Sequence, residues 1–265
     1  MIEKAIYSNW SKPNNDLYAG FNSDEAFANS LHLSVLYSKK WFKEVELVTD
    51  KKGKELVDKY KIPFDNVVVC LDDYNHIDKH HWAIGKIVAC SLQTKPFIHI
   101  DNDVYWFKKP PKRLLEADCC FQNYESTEDH WYKYQMKKAA ESSPITEIDY
   151  TIKKALNCGI IGFNKMDVLE EWLYLALKYI DWFDNNKTVT GELSSVMFEQ
   201  YHIYQILKKH NYDIQVITKG WINDKVAIEY GYTHLIATSK RRPDIEKRVK
   251  ARLEKDLVTP KNMVL

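Results

Sequence analysis

The run Phe97-Ile-His-Ile-Asp-Asn-Asp-Val-Tyr-Trp106 sets a short, largely apolar stretch directly against two carboxylates one residue apart. A strand apolar on both faces belongs inside a sheet that is covered on both sides, and such sheets are built from strands alternating with helices. The carboxylates then fall at the carboxyl end of a central strand, where open α/β sheets bind ligands.

The rest of the chain supplies the alternation. Ala5–Ser8, Val45–Thr49, Val67–Leu71 and Phe97–Ile100 read as strands, with Val67–Leu71 buried. Between them, Ser23 is an N-cap with Asp24 and Glu25 in the first turn, and Phe27, Leu31 and Val35 mark one face of a helix to Ser38. Lys54–Tyr60 and Trp82–Leu92 are the next helices, the second apolar almost all round. Further on, Ala117–Gln122, Gly159–Phe163 and Ile214–Ile217 read as strands, and Val168–Phe183, Leu193–Lys209 and Pro243–Lys255 as helices. The polar stretch Tyr124–Leu156 reads as a partly helical excursion over the sheet. The pattern predicts an α/β fold with a mostly parallel central sheet flanked by helices. It places one domain over 1–265: a nucleotide-binding half (1–106), a second half (107–242) and a C-terminal helix and tail (243–265).

The 38 basic and 37 acidic residues nearly cancel, so no strong field points to nucleic acid or a membrane surface. Aromatic residues make up 13% of the chain, which suits stacking on sugars or bases but reads first as a Tyr-rich core and surface. Cys70, Cys90, Cys119, Cys120 and Cys158 contain no C-x-x-C pair, so neither a zinc site nor a disulfide framework is expected. Cys70, Cys90 and Cys158 lie in apolar runs, as buried thiols do. Met1–Ser8 reads at once as strand, without an apolar leader, and no apolar run is long enough to span a bilayer. The expectation is a cytoplasmic protein.

Two carboxylates at a strand end are costly unless hydrated or paired with a cation. Asp101 and Asp103 therefore read as oxygen ligands for Mg²⁺ or Mn²⁺, although a bare Asp-x-Asp also occurs as a solvated turn. Lys86, inside Trp82-Ala-Ile-Gly-Lys-Ile-Val-Ala-Cys90, needs an anion or a route to water. It faces the acidic site or snorkels from the helix edge.

A basic residue on a helix, then a strand, then Ile-Asp-Asn-Asp-Val resembles the donor-binding core of GT-A glycosyltransferases. Asn157-Cys-Gly-Ile-Ile-Gly-Phe-Asn164 is similar to a strand of the glycogenin- and galactosyltransferase-like families, and Thr233-His-Leu-Ile-Ala-Thr-Ser-Lys240 to their C-terminal His-x-x-Gly-x-x-Lys element, with Ala237 in place of the glycine. The resemblance implies a UDP-linked sugar donor and a divalent metal, held by Asp101, Asp103 and His234. It implies donor contacts from Tyr7, Ser8, Lys86, Asp101, Asn157, Gly159 and Lys240, and places Glu199, with Asp103, at the reaction centre. Lys240, Arg241 and Arg242 form a cationic cluster suited to phosphates. The motif order implies retention of anomeric configuration. Asp129, His130 and Trp131 stand as acceptor contacts in the excursion, the acceptor itself being a glycan, a peptide or a small molecule. A nucleotidyltransferase is disfavoured because the loop after the first strand, Asn9-Trp-Ser-Lys-Pro13, has no glycine. A non-catalytic nucleotide-sugar-binding protein of the same fold stays open as an alternative.

Overall fold

The structure, a computed structural model, describes residues 1–14, 18–128, 130–186 and 194–258. The side chains of Asn14, Tyr18, His130 and Trp131 are also outside the description, so the expected acceptor contacts Asp129, His130 and Trp131 lie outside the described residues.

Seven strands form the main sheet. In chain order these are β1 (Lys4–Asn9), β2 (Glu44–Thr49), β3 (Asn66–Val69), β4 (Phe97–Ile100), β6 (Cys119–Ser126), β7 (Lys154–Phe163) and β8 (Ile214–Val216). Their spatial order is β3-β2-β1-β4-β7-β6-β8. The first four are parallel to one another, β7 runs antiparallel to both β4 and β6, and β8 is parallel to β6. A second, two-stranded sheet pairs β5 (Val104–Trp106) with β9 (Tyr232–His234). The architecture is α/β with a mostly parallel sheet, as the alternation predicts.

Strand periodicity splits the core in two. Ile6, Val48, Phe97 and Ile161 face one side and pack with the Ile84–Ser91 and Leu169–Asn185 helices. Their neighbours Tyr7, Leu47, Ile98 and Ile160 face the other, under the Asp24–Trp41 helix. Every residue from Ile84 to Cys90 is buried, in line with a helix that is apolar almost all round.

Local chemistry sets most element ends. Ser23 accepts from the Ala26 amide (3.1 Å) and starts its helix where expected. The next helix begins at Lys51 rather than Lys54, because Asp50 caps it through the Gly53 amide (2.8 Å). Val67–Leu71 is not a buried strand: β3 pairs on one side only, at the sheet edge, and Val69 is exposed. Both ends of the expected Tyr124–Leu156 excursion are sheet, since β6 and β7 pair as far as Ser126↔Lys154, and the His130–Ser142 helix lies between them. Two of the elements that go beyond the sequence expectation bear on the site and its surroundings. One is the β5/β9 ribbon; the other is the Asp224–Tyr230 helix, capped by Asn223 and closed by Gly231. The five cysteines are free, and all but the half-buried Cys70 are buried. Among the described residues no helix is long and apolar enough to cross a membrane.

Trp172 anchors the first core. It is fully buried, lies against Phe163, and its indole N–H donates to the Phe198 carbonyl (2.8 Å). Trp172→Ala is expected to cost about 3–5 kcal/mol of unfolding free energy, read from urea denaturation.

Candidate active site at the end of the central strands

The chain builds β1, β2 and β3 outward in one direction and then returns to place β4 on the other side of β1. That reversal opens a crevice between β1 and β4. A cavity of about 710 Å³ lies there, with Ser8, Lys86, Asp101, Asn102, Asp103, Lys240 and Arg241 on its walls and Trp82 among its aromatic residues.

Asp101, Asn102 and Asp103 form the turn from β4 to β5, closed by the Val104 amide donating to the Asp101 carbonyl (3.0 Å). Asn102 ties this turn to β1 through the Ser8 carbonyl (3.0 Å), and Ser30 holds the Asn102 carbonyl from the helix above (3.0 Å). The turn is therefore fixed from two sides before its carboxylates meet anything.

The β5/β9 ribbon brings in His234. Its register sets His234 opposite Val104, and the Leu235 amide donates to the Asp103 carbonyl (3.0 Å). Gln122 Oε1 accepts from His234 Nδ1 (2.7 Å) and from the Tyr232 hydroxyl (2.6 Å). A carbonyl oxygen only accepts, so Nδ1 carries the proton and Nε2 faces Asp103 Oδ1 at 3.4 Å. One ligand atom each from Asp101, Asp103 and His234 lie within 4.8 Å of one another.

The residues fit a divalent metal. Two carboxylates with one imidazole are a mixed oxygen–nitrogen set, and a fixed second nitrogen is how metal-binding imidazoles are oriented. Gly159 makes room for the ring: a Cβ there would lie 2.3 Å from Gln122 Oε1 and 2.6 Å from His234 Nδ1.

Two lysines neutralise the acids. Lys86 Nζ lies 2.7 Å from Asp101, 2.5 Å from Glu199 and 2.9 Å from the Cys158 carbonyl. Lys240 Nζ lies 2.5 Å from Asp103 Oδ2 and 3.1 Å from the Ala19 carbonyl. Lys86 therefore faces the acidic site and does not snorkel. Burial works against its charge, but Asp101 and Glu199 prevail and hold the ammonium above the ordinary lysine range. Two carboxylates compete for this one cation, and burial pushes Glu199 up to about 7 despite Lys86. Burial alone would raise Asp103 too; Lys240 overcomes it and holds that carboxyl well below the usual range.

Several expected site residues sit elsewhere. Tyr7 points away from the cavity into the core, its hydroxyl bound to Ser34 and Ser38 (2.7 Å each), because strand alternation sends it to the opposite face from Ile6. Glu199 is 0% exposed, on a π-helical turn (Met197–Tyr201) behind Lys86, and does not line the cavity. Asn157 is committed to protein partners: it donates to Glu125 (2.7 Å) and accepts from the Gly159 amide (3.0 Å). Gly159 meets His234 and Gln122. Arg242 pairs with the exposed Asp244, so the cationic cluster reaches the cavity only through Lys240 and Arg241. Ser8 does line the cavity, with its hydroxyl against His99 Nε2 (2.9 Å).

Gln122 and Trp82 were not singled out from sequence. A glutamine directly after the apolar run Cys119-Cys120-Phe121, within an expected strand, is the signal that would have flagged the first. Ala237 explains the glycine of the resembling motif: it sits at φ 53°, in the left-handed region.

Three exchanges between glycine and alanine check this geometry. Gly159→Ala should destabilise by about 1–3 kcal/mol in chemical denaturation, whereas Gly220→Ala, with nothing within 4 Å, should change little. Ala237→Gly should stabilise by roughly 0.5–1 kcal/mol, because glycine removes the left-handed strain and gives back part of the gain in unfolded-chain entropy.

A search of the curated proteins gives no significant match. Solved structures similar to the chain include mouse xyloside xylosyltransferase 1, at 13% identity and a TM-score of 0.45 over 82% of this chain and 85% of that one. A second is the galactosyltransferase LgtC in complex with donor and acceptor sugar analogs, at 6% identity and 0.42 over 74% and 69%. A third is 4-diphosphocytidyl-2C-methyl-D-erythritol synthase from Anaerococcus prevotii, at 11% identity and 0.40 over 96% of each chain. The family of unknown function DUF6734 matches residues 3–263, and the chain belongs to that family.

Proposed function

We propose that the protein is a metal-dependent glycosyltransferase of the GT-A type, which moves a sugar from a nucleotide-sugar donor, UDP-linked by resemblance, to a second substrate. The observation that carries this reading is the convergence of Asp101, Asp103 and His234 with Lys86, Lys240 and Arg241 in one cavity at the β1/β4 crevice. Acids and bases arranged in this way suit a dianionic diphosphate joined to a divalent cation.

Asp101, Asp103 and His234 would hold Mn²⁺ or Mg²⁺, the imidazole tilting the choice toward Mn²⁺. When bound, the metal supplies charge neutralisation at the departing diphosphate. Lys86 and Lys240 share that task, and Lys86 is already held in place by its protein contacts, so it needs little reorganisation during transfer. Ser8, at the end of β1, sits where the nucleoside would lie. Glu199 acts behind Lys86, as its buried counter-charge, rather than on the sugar. Transfer with retention is the stereochemistry we adopt, on the order of the motifs, and the anomeric configuration of the product by NMR tests it.

The direct experiment is a screen of nucleotide sugars for hydrolysis with and without Mn²⁺. We expect at least one UDP-sugar to be turned over only with metal, and Asp103→Asn to lower that rate by at least about a hundredfold. Turnover that is unchanged by EDTA and by Asp103→Asn would remove the metal from the reading. UDP binding without turnover of any donor would favour a non-catalytic binding protein.

A further inference from the structure

The two lysines at the acidic turn are not equivalent. Lys86 is pinned three ways, by Asp101, by the fully buried Glu199 and by the Cys158 carbonyl. Lys240 has one carboxylate, Asp103, and one backbone carbonyl, that of Ala19. Its oxygen on Asp103 belongs to the same carboxylate that faces His234 Nε2 from the other side. A divalent cation seated among Asp101, Asp103 and His234 would share that buried carboxylate with an ammonium 2.5 Å from it. Two cations on one carboxylate repel, and the low dielectric of a buried site strengthens the repulsion.

The surroundings let Lys240 yield. Its stem is flexible and its charge a compact point, unlike the rigid fork of an arginine. The Ala237–Arg241 turn is fastened to the neighbouring Tyr18–Gly20 turn by more than this lysine. Arg241 Nε donates to the Gly20 carbonyl (3.3 Å), and Asn22 donates to the Arg241 carbonyl (3.1 Å). Lys240 can therefore leave Asp103 and stay at the cavity wall while the turn holds.

Resting on the metal reading above, we propose that Lys240 is a built-in competitor of the divalent ion at Asp103, displaced toward the diphosphate when a nucleotide enters. The site then takes up metal weakly alone and tightly with nucleotide. Coupling of this kind is reciprocal, so the metal strengthens nucleotide binding by the same factor.

The test titrates the full chain with Mn²⁺ alone, following free Mn²⁺ by electron paramagnetic resonance, for wild type, Lys240→Met and Lys240→Arg. Lys240→Met should bind Mn²⁺ about tenfold more tightly than wild type, and Lys240→Arg, which keeps the charge, should bind it no more tightly than wild type. Saturating UDP should tighten Mn²⁺ binding more in wild type than in Lys240→Met. If wild type binds Mn²⁺ and Lys240→Met binds it no more tightly, the competition is refuted and the metal site stands. If none of the three chains binds Mn²⁺, with or without UDP, the metal assignment falls and the competition with it.

Discussion

Opposite charges held together at low exposure are the constraint on which the rest of the structure depends. Asp103 is buried and Asp101 half-buried at the end of an apolar strand, and Glu199 is buried on the π-helical turn beside them. Uncompensated, each would cost several kcal/mol of effective desolvation. Lys86 and Lys240 offset that cost only if the elements carrying them bring each ammonium within contact of its carboxylate. The Ile84–Ser91 helix, the β5/β9 ribbon and the clasped turns at Tyr18–Gly20 and Ala237–Arg241 all serve that placement. Anchors such as Asn102 on Ser8 and Gln122 on His234 carry no charge of their own, yet they set where charge can sit.

The parts legible in the sequence are those with a period or a cap. The Asp24–Trp41 helix was visible from Ser23 and the Phe27, Leu31, Val35 stripe, and β4 from its composition. Asp101, Asp103 and Lys86 were visible because ionisable groups next to apolar runs must find partners. His234 and Lys240 were found through resemblance, and the structure brings both onto Asp103.

The rest was hidden for physical reasons. A three-residue strand such as β5 or β9 is too short to show alternation, and its existence depends on its partner. Facing is the second obscurity. Tyr7 and Ser8 are adjacent, and the pleat sends one to the core and the other to the cavity. Glu199 lies on a turn widened to a π-helix, which shifts the face that an α-helical count assigns to it. Gln122 and Gly159 matter only through each other, across a strand pair that no local pattern announces.

The placement of β7 has a consequence for how the chain matures. This strand sits between β4 and β6, so the middle of the sheet is completed only after residue 163 has been made. The acidic turn is synthesised by residue 103, its first lysine by residue 86, and its second only at residue 240. Contacts of such long range are slow to form and expose apolar strand edges until they do. From residue 103 until residue 240 has been made, the growing chain therefore carries Asp103 without its lysine counter-charge, and the site is complete only once the two have met.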